Sequence, residues 1–247
     1  MILSRPGHRW PLIVGANRDE MADRPWVPPG RHWPNRDQVV AGQDLEAGGS
    51  WLGINDFGVI AGIMNRRGSL GPEADKRSRG ELVLEALDHA DAAVAARALG
   101  AIDPGAYRPF NLFIGDNRDA FWLRNSTDDA PSGITIHEIP PGVSMITAVD
   151  RNDVASSRIR SYLPRFEAAP APEPDHGDWS AWQGLLASRE FDADAGPRDA
   201  LCIVTDGTYG TLSSSLIAVP ATGAGATAKY LFCPRSPDPG GYQEVEL

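Results

Sequence analysis

The fold of this chain is decided by the stretch Trp10-Pro11-Leu12-Ile13-Val14-Gly15-Ala16-Asn17-Arg18-Asp19-Glu20. Its apolar first half predicts a buried strand, and this strand is expected to end where the four polar residues begin. Such an ending delivers an amide, a guanidinium and two carboxylates to one edge of a sheet. These groups are costly to bury unpaired, so they pair with one another or meet a ligand. The alternative is a strand end whose charges simply face water.

Length, charge and cysteine usage narrow the class of protein. The 247 residues are enough for one domain, 1–247, or for two small ones. A net charge of −10 argues against nucleic acid and anionic membrane surfaces as general partners. No apolar run approaches the roughly 20 residues that span a bilayer, and the N-terminal run is no secretory signal. The two cysteines, Cys202 and Cys233, predict buried thiols rather than a disulfide, and with them a cytoplasmic location.

The first residues predict a short strand paired with the opening stretch. Pro6-Gly7 supplies a turn, so residues 1–3 are expected to run antiparallel to the strand that leads to Asn17. With the pairing centred on residues 6–9, the numbers of paired residues sum to about 15. Asn17 would then face a position about three residues upstream of Met1.

The remaining chain predicts antiparallel hairpins with few helices. Residues 21–44, which are rich in proline and tryptophan, are expected to be irregular. A second apolar strand ends in Asn65-Arg66, which repeats the chemistry of Asn17-Arg18. The expected strands are 50–54, 59–65, 110–116, 121–124, 134–139, 143–149, a hairpin of 201–204 with 211–219, and an edge strand 229–233. The expected helices are one or two within 82–99 behind a Ser78–Glu81 capping box, one capped by Asp150 or Ser156, and one over 179–188. Together they predict one α+β domain.

Several kinds of catalytic or binding site are poorly supported. The sequence has no Gly-x-Ser-x-Gly nucleophile elbow, no phosphate-binding loop and no dinucleotide fingerprint. Asp19 and Glu20 alone are weak metal ligands, so no metal site is expected.

The motifs resemble those of the NRDE family, also called the Transport and Golgi organisation protein 2 family. They follow the family's order over most of the chain: Asn17-Arg18-Asp19-Glu20, Arg24-Pro25, Gly48-Gly49-Ser50-Trp51-Leu52-Gly53, Gly58 to Asn65, Ser78-Arg79-Gly80-Glu81-Leu82, Phe110-Asn111-Leu112 and Thr208-Tyr209-Gly210-Thr211. The family is similar to N-terminal nucleophile hydrolases such as penicillin V acylases and bile salt hydrolases. This resemblance implies an αββα four-layer sandwich of two mostly antiparallel sheets between helical layers.

The resemblance also implies roles for individual residues. In such enzymes an N-terminal cysteine attacks an amide carbonyl, with its own α-amine as the base. Asn17 and Asp19 match the Gly-x-Asn-x-Asp element, in which Asp19 would orient the amine. Asn65, with Asn17 as a second candidate donor, would donate to the oxyanion, and Arg18 would pair with Asp19 or bind a substrate carboxylate. The candidates for substrate binding are Trp51, Arg66, Asp150 and Arg158.

Three departures bear on catalysis. The family begins Met-Cys, whereas this chain begins Met1-Ile2; Leu212 stands where relatives often have Arg; and only Asp150 or Asn152 could replace an acylase Asn. We therefore expect no N-terminal nucleophile activity from the chain as given.

We interpret the chain as resembling a member of this family that is inactive as an N-terminal nucleophile enzyme in the form given, and two alternatives stay open. If the true start lies upstream and supplies Met-Cys, the protein is a cysteine-type hydrolase of non-peptide C–N bonds in small amides. The second alternative is a non-catalytic carrier of a hydrophobic ligand, either haem or a lipid-like molecule. Haem is a candidate cargo because eukaryotic members are linked to haem trafficking, and the contacts would come from His8, His32 or Met64.

Overall fold

The computed structural model describes residues 1–126, 133–205, 207–235 and 237–247, and it divides into two compact units. Unit 1 comprises Met1–Arg24, Pro141–Met145 and Asn152–Leu247, and unit 2 comprises Pro25–Pro140 and Ile146–Arg151. The expectation that residues 1–247 form a single domain stays a prediction.

Unit 1 is a six-stranded antiparallel sheet with two helices. Its elements are β1 (Ile2–Ser4), β2 (Leu12–Met21), β10 (Gly142–Ser144), α3 (Ser157–Ala168), α4 (Ser180–Leu186), β11 (Tyr209–Val219), β12 (Lys229–Pro234) and β13 (Gln243–Glu244). The strand order is β10-β1-β2-β11-β12-β13. The long strands β2 and β11 form the centre because their apolar halves are buried on both faces. Helix α4 approaches β2 closely at Gly15, where a Cβ atom would lie 3.1 Å from the ring of Trp182.

Unit 2 is a seven-stranded antiparallel sheet in chain order, also with two helices. Its elements are β3 (Trp26–Gly30), β4 (Val39–Asp44), β5 (Leu52–Asn55), β6 (Ile60–Asn65), α1 (Gly80–Leu87), α2 (Ala92–Gly100), β7 (Phe110–Gly115), β8 (Ala120–Asn125) and β9 (Ile134–Glu138). The apolar faces of α1 and α2 pack on β6, β7 and β8 and form one hydrophobic core with them.

The strand that carries the opening motif is longer than the sequence predicted. β2 does not end before Asn17 but continues to Met21, because β11 offers it a hydrogen-bonding partner along its whole length. Asp19 lies opposite Thr211, and Arg18 lies opposite Ser213. Since side chains alternate along a strand, Asn17 and Asp19 project from one face of the sheet, and Arg18 projects from the other. The four polar residues are therefore divided between two faces instead of gathered at one edge.

The first hairpin forms with a register one residue away from the predicted one. Ile2 lies opposite Val14, so the numbers of paired residues sum to 16. The ladder continues to Met1, whose α-amine donates to Gly15 O at 2.7 Å while Gly15 N donates to Met1 O at 2.9 Å. A residue joined ahead of Met1 in the same ladder would lie opposite Ala16, and the next two would lie opposite Asn17 and Arg18.

Several other elements were predicted correctly. The hairpins β5–β6 and β7–β8 form, and so does α4. The region 82–99 holds two helices, because Asp91 caps a new one by accepting a hydrogen bond from Val94 N. Ser156, not Asp150, caps α3. Cys202 and Cys233 are buried and form no disulfide.

Four predictions about local structure were wrong. Residues 21–44 contain β3 and β4; the prolines of β3 are accommodated because this is an edge strand with an irregular register. The strand expected over 143–149 ends at Ser144. Strand β12 is not an edge, because β13 pairs with it. The capping box before α1 does not form; Arg79 occupies the N-cap position without a side-chain cap, and Glu81 instead pairs with Arg77 at 2.6 Å.

The hairpin expected between 201–204 and 211–219 is also absent. Residues 201–204 form no strand, although two hydrogen bonds join Ile203 to Thr211. One of these runs from Ile203 N to the Thr211 hydroxyl, a side chain, so no ladder is propagated. The main partner of β11 is β2.

Candidate functional site

Asp19 is held by two donors in unit 1. The hydroxyl of Thr211 donates to Oδ1 at 2.6 Å, and Nη1 of Arg158 donates to Oδ2 at 3.1 Å. The side chains of Asp19 and Arg158 are only 15% and 20% exposed, so the pair is shielded from most solvent. With both oxygens engaged, the carboxylate is oriented and charge-compensated, which suits it to positioning a neighbouring group.

Three parts of the chain build this cluster, which we call the Asp19 clamp (Asp19, Thr211 and Arg158). Register places Thr211 of β11 opposite Asp19 of β2. Helix α3 brings Arg158 within its first turn. Ile203 N donates to the Thr211 hydroxyl at 2.8 Å, so that hydroxyl accepts one hydrogen bond while it donates another. Nη2 of Arg158 also donates to the backbone oxygen of Arg198 at 2.5 Å.

Asn17 lies on the same face and holds two backbone carbonyls. Its Nδ2 donates to Leu186 O at 2.9 Å and to Leu201 O at 2.8 Å. Both partners are acceptors, which determines the orientation of the amide. Its Oδ1 is buried and has no hydrogen-bond partner among the described residues. In this arrangement the amide offers a ligand an acceptor rather than the donor that an oxyanion needs.

The opposite face of β2 carries Arg18. Arg18 and Asp19 point to opposite faces of β2, and Asp19 pairs with Arg158. The side chain of Arg18 is buried, at 7% exposure. Its cross-strand neighbour Ser213 is 1% exposed, and the Ser213 hydroxyl has no hydrogen-bond partner among the described residues.

A cavity of about 590 Å³ adjoins residues of the clamp in unit 1. Its lining comprises Ala195, Gly196, Pro197, Arg198, Val204, Thr205, Gly207, Thr208 and Tyr209. The guanidinium of Arg198 lies 5.8 Å from the centre of the Tyr209 ring. Burial, and after it the negative charge of Asp19, raises the pKa of Tyr209 to about 12, so its hydroxyl is protonated at neutral pH. The cavity is large enough for a small molecule.

Sequence reasoning did not select Thr211, Arg198, Tyr209 or Ser213 as site residues. The signal for two of them was present in the motif Thr208-Tyr209-Gly210-Thr211. That motif becomes informative only once β11 is known to lie beside β2.

Arg66 and Asp150, which were predicted to bind substrate, lie in unit 2 and hold its chain in place. Asp150 accepts from Arg66 at 2.7 Å and from Arg124 at 2.8 Å. Asn111 accepts from Arg66 at 2.9 Å and donates to the backbone oxygens of Thr147 and Val149. This network anchors the segment 146–151 to the sheet of unit 2, which is a structural role.

Trp51 and Asn65 also lie in unit 2. The Trp51 ring covers Gly42, where a Cβ atom would lie 2.2 Å away, and it meets Trp26 edge-on at 5.7 Å. Asn65 is the last residue of β6 and lies opposite Phe110. Arg158, also predicted to bind substrate, lies in unit 1 and contacts Asp19 there.

The residues considered for a haem ligand belong to both units. His8 lies in unit 1, where its Nδ1 accepts from Trp10 N at 2.9 Å, whereas His32 and Met64 belong to unit 2. Among the described residues no three His, Cys, Asp or Glu side chains are clustered in a way that could hold a metal ion. None of the helices in the described ranges is long and apolar enough to cross a membrane.

The fold is similar to that of solved amide hydrolases. A Caenorhabditis elegans orthologue of N-acylethanolamine-hydrolyzing acid amidase matches 90% of this chain and 93% of its own, with a TM-score of 0.59 and 11% identity. An arginine-to-leucine variant of the conjugated bile acid hydrolase from Clostridium perfringens gives a TM-score of 0.56 at 11% identity, and the match covers 100% of this chain and 91% of the hydrolase chain. Penicillin V acylase from Agrobacterium tumefaciens gives a TM-score of 0.53 at 13% identity, and the match covers 100% of this chain and 85% of the acylase chain. These likenesses show the fold, and they confirm the predicted α+β class of the N-terminal nucleophile hydrolases.

Matches to relatives by amino-acid sequence cover a shorter part of the chain. The mouse and human Transport and Golgi organization 2 homologues are each 34% identical over 110 residues, which is 42% of this chain. The match spans only 38% of the length of these relatives. The family model for Transport and Golgi organisation 2 matches residues 1–166, about two thirds of the sequence, and the chain therefore belongs to this family.

Proposed function

We propose that unit 1 binds a small molecule through its amide group, and that a cysteine placed ahead of Met1 in the β1–β2 ladder would make it a hydrolase of non-peptide C–N bonds. Without such a cysteine, unit 1 would bind the ligand and leave it intact. The proposal draws on the fold, since the three similar structures are named for hydrolysing N-acylethanolamines, conjugated bile acids and penicillin V.

One observation carries the proposal: an extension of β1 ahead of Met1 would pair with the polar part of β2. Met1 exchanges two backbone hydrogen bonds with Gly15, so the ladder is regular up to its last residue. Residues joined ahead of Met1 would be delivered opposite Ala16, Asn17 and Arg18. These positions adjoin the Asp19 clamp on one face and Arg18 with Ser213 on the other.

Burial governs the protonation of a terminal amine at the start of β1. It lowers the pKa of the Met1 α-amine to about 5, because the ammonium form loses its hydration. The α-amine of a cysteine joined ahead of Met1 would need similar burial to be uncharged at neutral pH and accept a proton. The buried Oδ1 of Asn17, which has no hydrogen-bond partner among the described residues, would accept a hydrogen bond from an amine or amide N–H delivered to this face of β2.

The reaction requires a thiol that these groups can serve. The thiol sulfur would bond to the substrate carbonyl carbon as the α-amine takes the thiol proton. The C–N bond would then break, and the departing amine would take that proton. Water would hydrolyse the thioester and return the thiol. The clamp would hold the Asp19 carboxyl group oriented beside this chemistry.

The test is a set of extended chains with a mature N-terminal cysteine one, two or three residues ahead of Met1. Release of p-nitroaniline from acyl p-nitroanilides is the assay. We expect hydrolysis from one of these registers, loss of activity on Cys→Ala in that chain, and none from the unextended chain. Equal rates with and without the cysteine, or no hydrolysis at any register by folded protein, would contradict the hydrolase proposal.

A further inference from the structure

We infer that the cavity of unit 1 binds a carboxylate through Arg198 and Tyr209, so that the ligand of unit 1 is an acylated amine with an acid group at the end of a spacer. This inference rests on the proposed function, because it names the substrate class of the same site. The acid group would lie in the cavity, and the amide group would lie beside the Asp19 clamp.

Arg198 supplies the cavity with a cation that is not used in an ion pair. Among the described residues no carboxylate lies within ion-pair distance of its guanidinium, which instead contacts the ring of Tyr209 at 5.8 Å. The acid next to it in the chain, Asp199, accepts from the hydroxyl of Ser157 at 2.7 Å. The Arg198 side chain is exposed, and its fork of N–H donors therefore remains available to a ligand in the cavity.

The hydroxyl of Tyr209 supplies a second donor at the same place. The residue is half-buried, and none of the described residues forms a hydrogen bond with its hydroxyl. Because the pKa of this hydroxyl is raised to about 12, it keeps its proton at neutral pH and can donate. A hydroxyl that donates to a carboxylate forms one of the stronger kinds of hydrogen bond.

The charge of the cavity identifies the anion as a carboxylate. Arg198 is the charged residue within the described lining. The other described residues of the lining are apolar or carry only a hydroxyl group: Ala195, Gly196, Pro197, Val204, Thr205, Gly207 and Thr208. With a net charge of −10, the chain as a whole repels anions, so an anion requires a local cation of this kind. A single guanidinium compensates one negative charge, and its planar fork matches the two oxygens of a carboxylate.

The cavity lies on the same face of the sheet as the clamp. Tyr209 and Thr211 are two residues apart on β11, so both project from the face on which Thr211 donates to Asp19. Two residues of a strand span roughly 7 Å. A ligand with its acid group at Tyr209 therefore needs a spacer of several bonds before its amide group reaches the clamp. The substrate class is an acylated amino acid whose amine and acid groups lie at opposite ends of a chain, in preference to a neutral N-acylethanolamine.

The test compares 6-acetamidohexanoate with its uncharged counterpart 6-acetamidohexanamide, by NMR titration of the unextended, ¹⁵N-labelled chain. We expect the carboxylate to bind at least about tenfold more tightly, because hydrogen bonds to a charged group are the stronger ones. The backbone signals of Gly207 and Thr208 should shift on binding, because both residues line the cavity. Arg198→Met should weaken the binding of 6-acetamidohexanoate about tenfold, and Tyr209→Phe about fivefold, without changing the melting temperature by more than about 2 °C.

Arg189→Met is the matched control. Arg189 is also an exposed arginine of unit 1, but it does not belong to the lining, so the same change of charge should leave the affinity unchanged. Equal affinities for the two probes, or equal effects of Arg198→Met and Arg189→Met in folded protein, would overturn the carboxylate inference and leave amide hydrolysis untouched. Stronger competition by inorganic phosphate than by acetate would also overturn it, in favour of a phosphate site. Selective, Arg198-dependent binding combined with no hydrolysis at any cysteine register would instead contradict only the hydrolase.

Discussion

Breaking the Asp19 clamp tests whether it is a shielded, cooperative unit. In the structure Asp19 and Arg158 approach to 3.1 Å, at side-chain exposures of 15% and 20%. The Coulomb attraction at this distance lies between about 1.3 kcal/mol in water and about 5 kcal/mol at an effective dielectric constant of about 20. Desolvation of the two charges offsets much of that gain. We therefore expect a coupling free energy of about 1.5 kcal/mol between the two side chains.

The assay is a double-mutant cycle of Asp19→Asn and Arg158→Met, measured by urea unfolding. The single Asp19→Asn change should cost about 3 kcal/mol, because it removes the negative charge that compensates the shielded Arg158 guanidinium. Helix α3 offers a control in the pair Arg165–Glu190, whose side chains are 42% and 71% exposed. That pair should show a coupling below about 0.5 kcal/mol. If the two cycles give the same small coupling, the clamp is an ordinary surface ion pair, and our reasoning about Asp19 is wrong.

Three further outcomes follow from contacts in each unit. Asn17→Asp should destabilise the protein by about 3 kcal/mol in urea unfolding, because a carboxylate would face the two carbonyls to which the amide now donates. Burial lowers the pKa of the Met1 amine from 8.0 to about 5, so the unfolded chain binds a proton that the folded chain does not. The protein should therefore be most stable above about pH 8, and its free energy of unfolding should fall by up to about 4 kcal/mol as the pH drops to 5. Acetylating Met1 should flatten this pH profile, and a profile unchanged by acetylation would contradict the assignment. Gly49→Ala should lower the melting temperature, at a cost of about 2 kcal/mol, because its Cβ would lie 2.4 Å from the backbone carbon of Gly80. Gly184→Ala, which meets no atom within 4 Å, is its control and should be neutral or stabilising.

Local patterns in the sequence were enough to predict most elements and the family. The motif from Asn17 to Glu20, with the glycine motifs that follow, identified the family, and the family implied the fold class. Hairpins such as β7–β8 were predictable because apolar runs flank a short polar turn. The start of α3 was predicted at Asp150 or Ser156, and Ser156 caps the helix by a purely local contact.

Predictions failed where the partner of a segment lies far away in the chain. β2 was expected to end at Asn17 because charged residues rarely continue a buried strand. The structure extends it because β11, almost two hundred residues later, pairs with it as far as Met21. Residues 201–204 looked like a strand, yet the Leu201 carbonyl accepts from the side chain of Asn17 instead of from a neighbouring strand.

What the sequence determined by itself was therefore the chemistry available at β2 and the class of fold around it. The tertiary structure alone decided how that chemistry is divided: Asp19 meets Thr211 and Arg158 on one face, and Arg18 meets Ser213 on the other. The reason is that residue types and short-range spacing reveal propensities, whereas the face on which a side chain lies depends on strand length and register. Register is set by long-range pairing, and one extra residue in a hairpin would exchange the two faces.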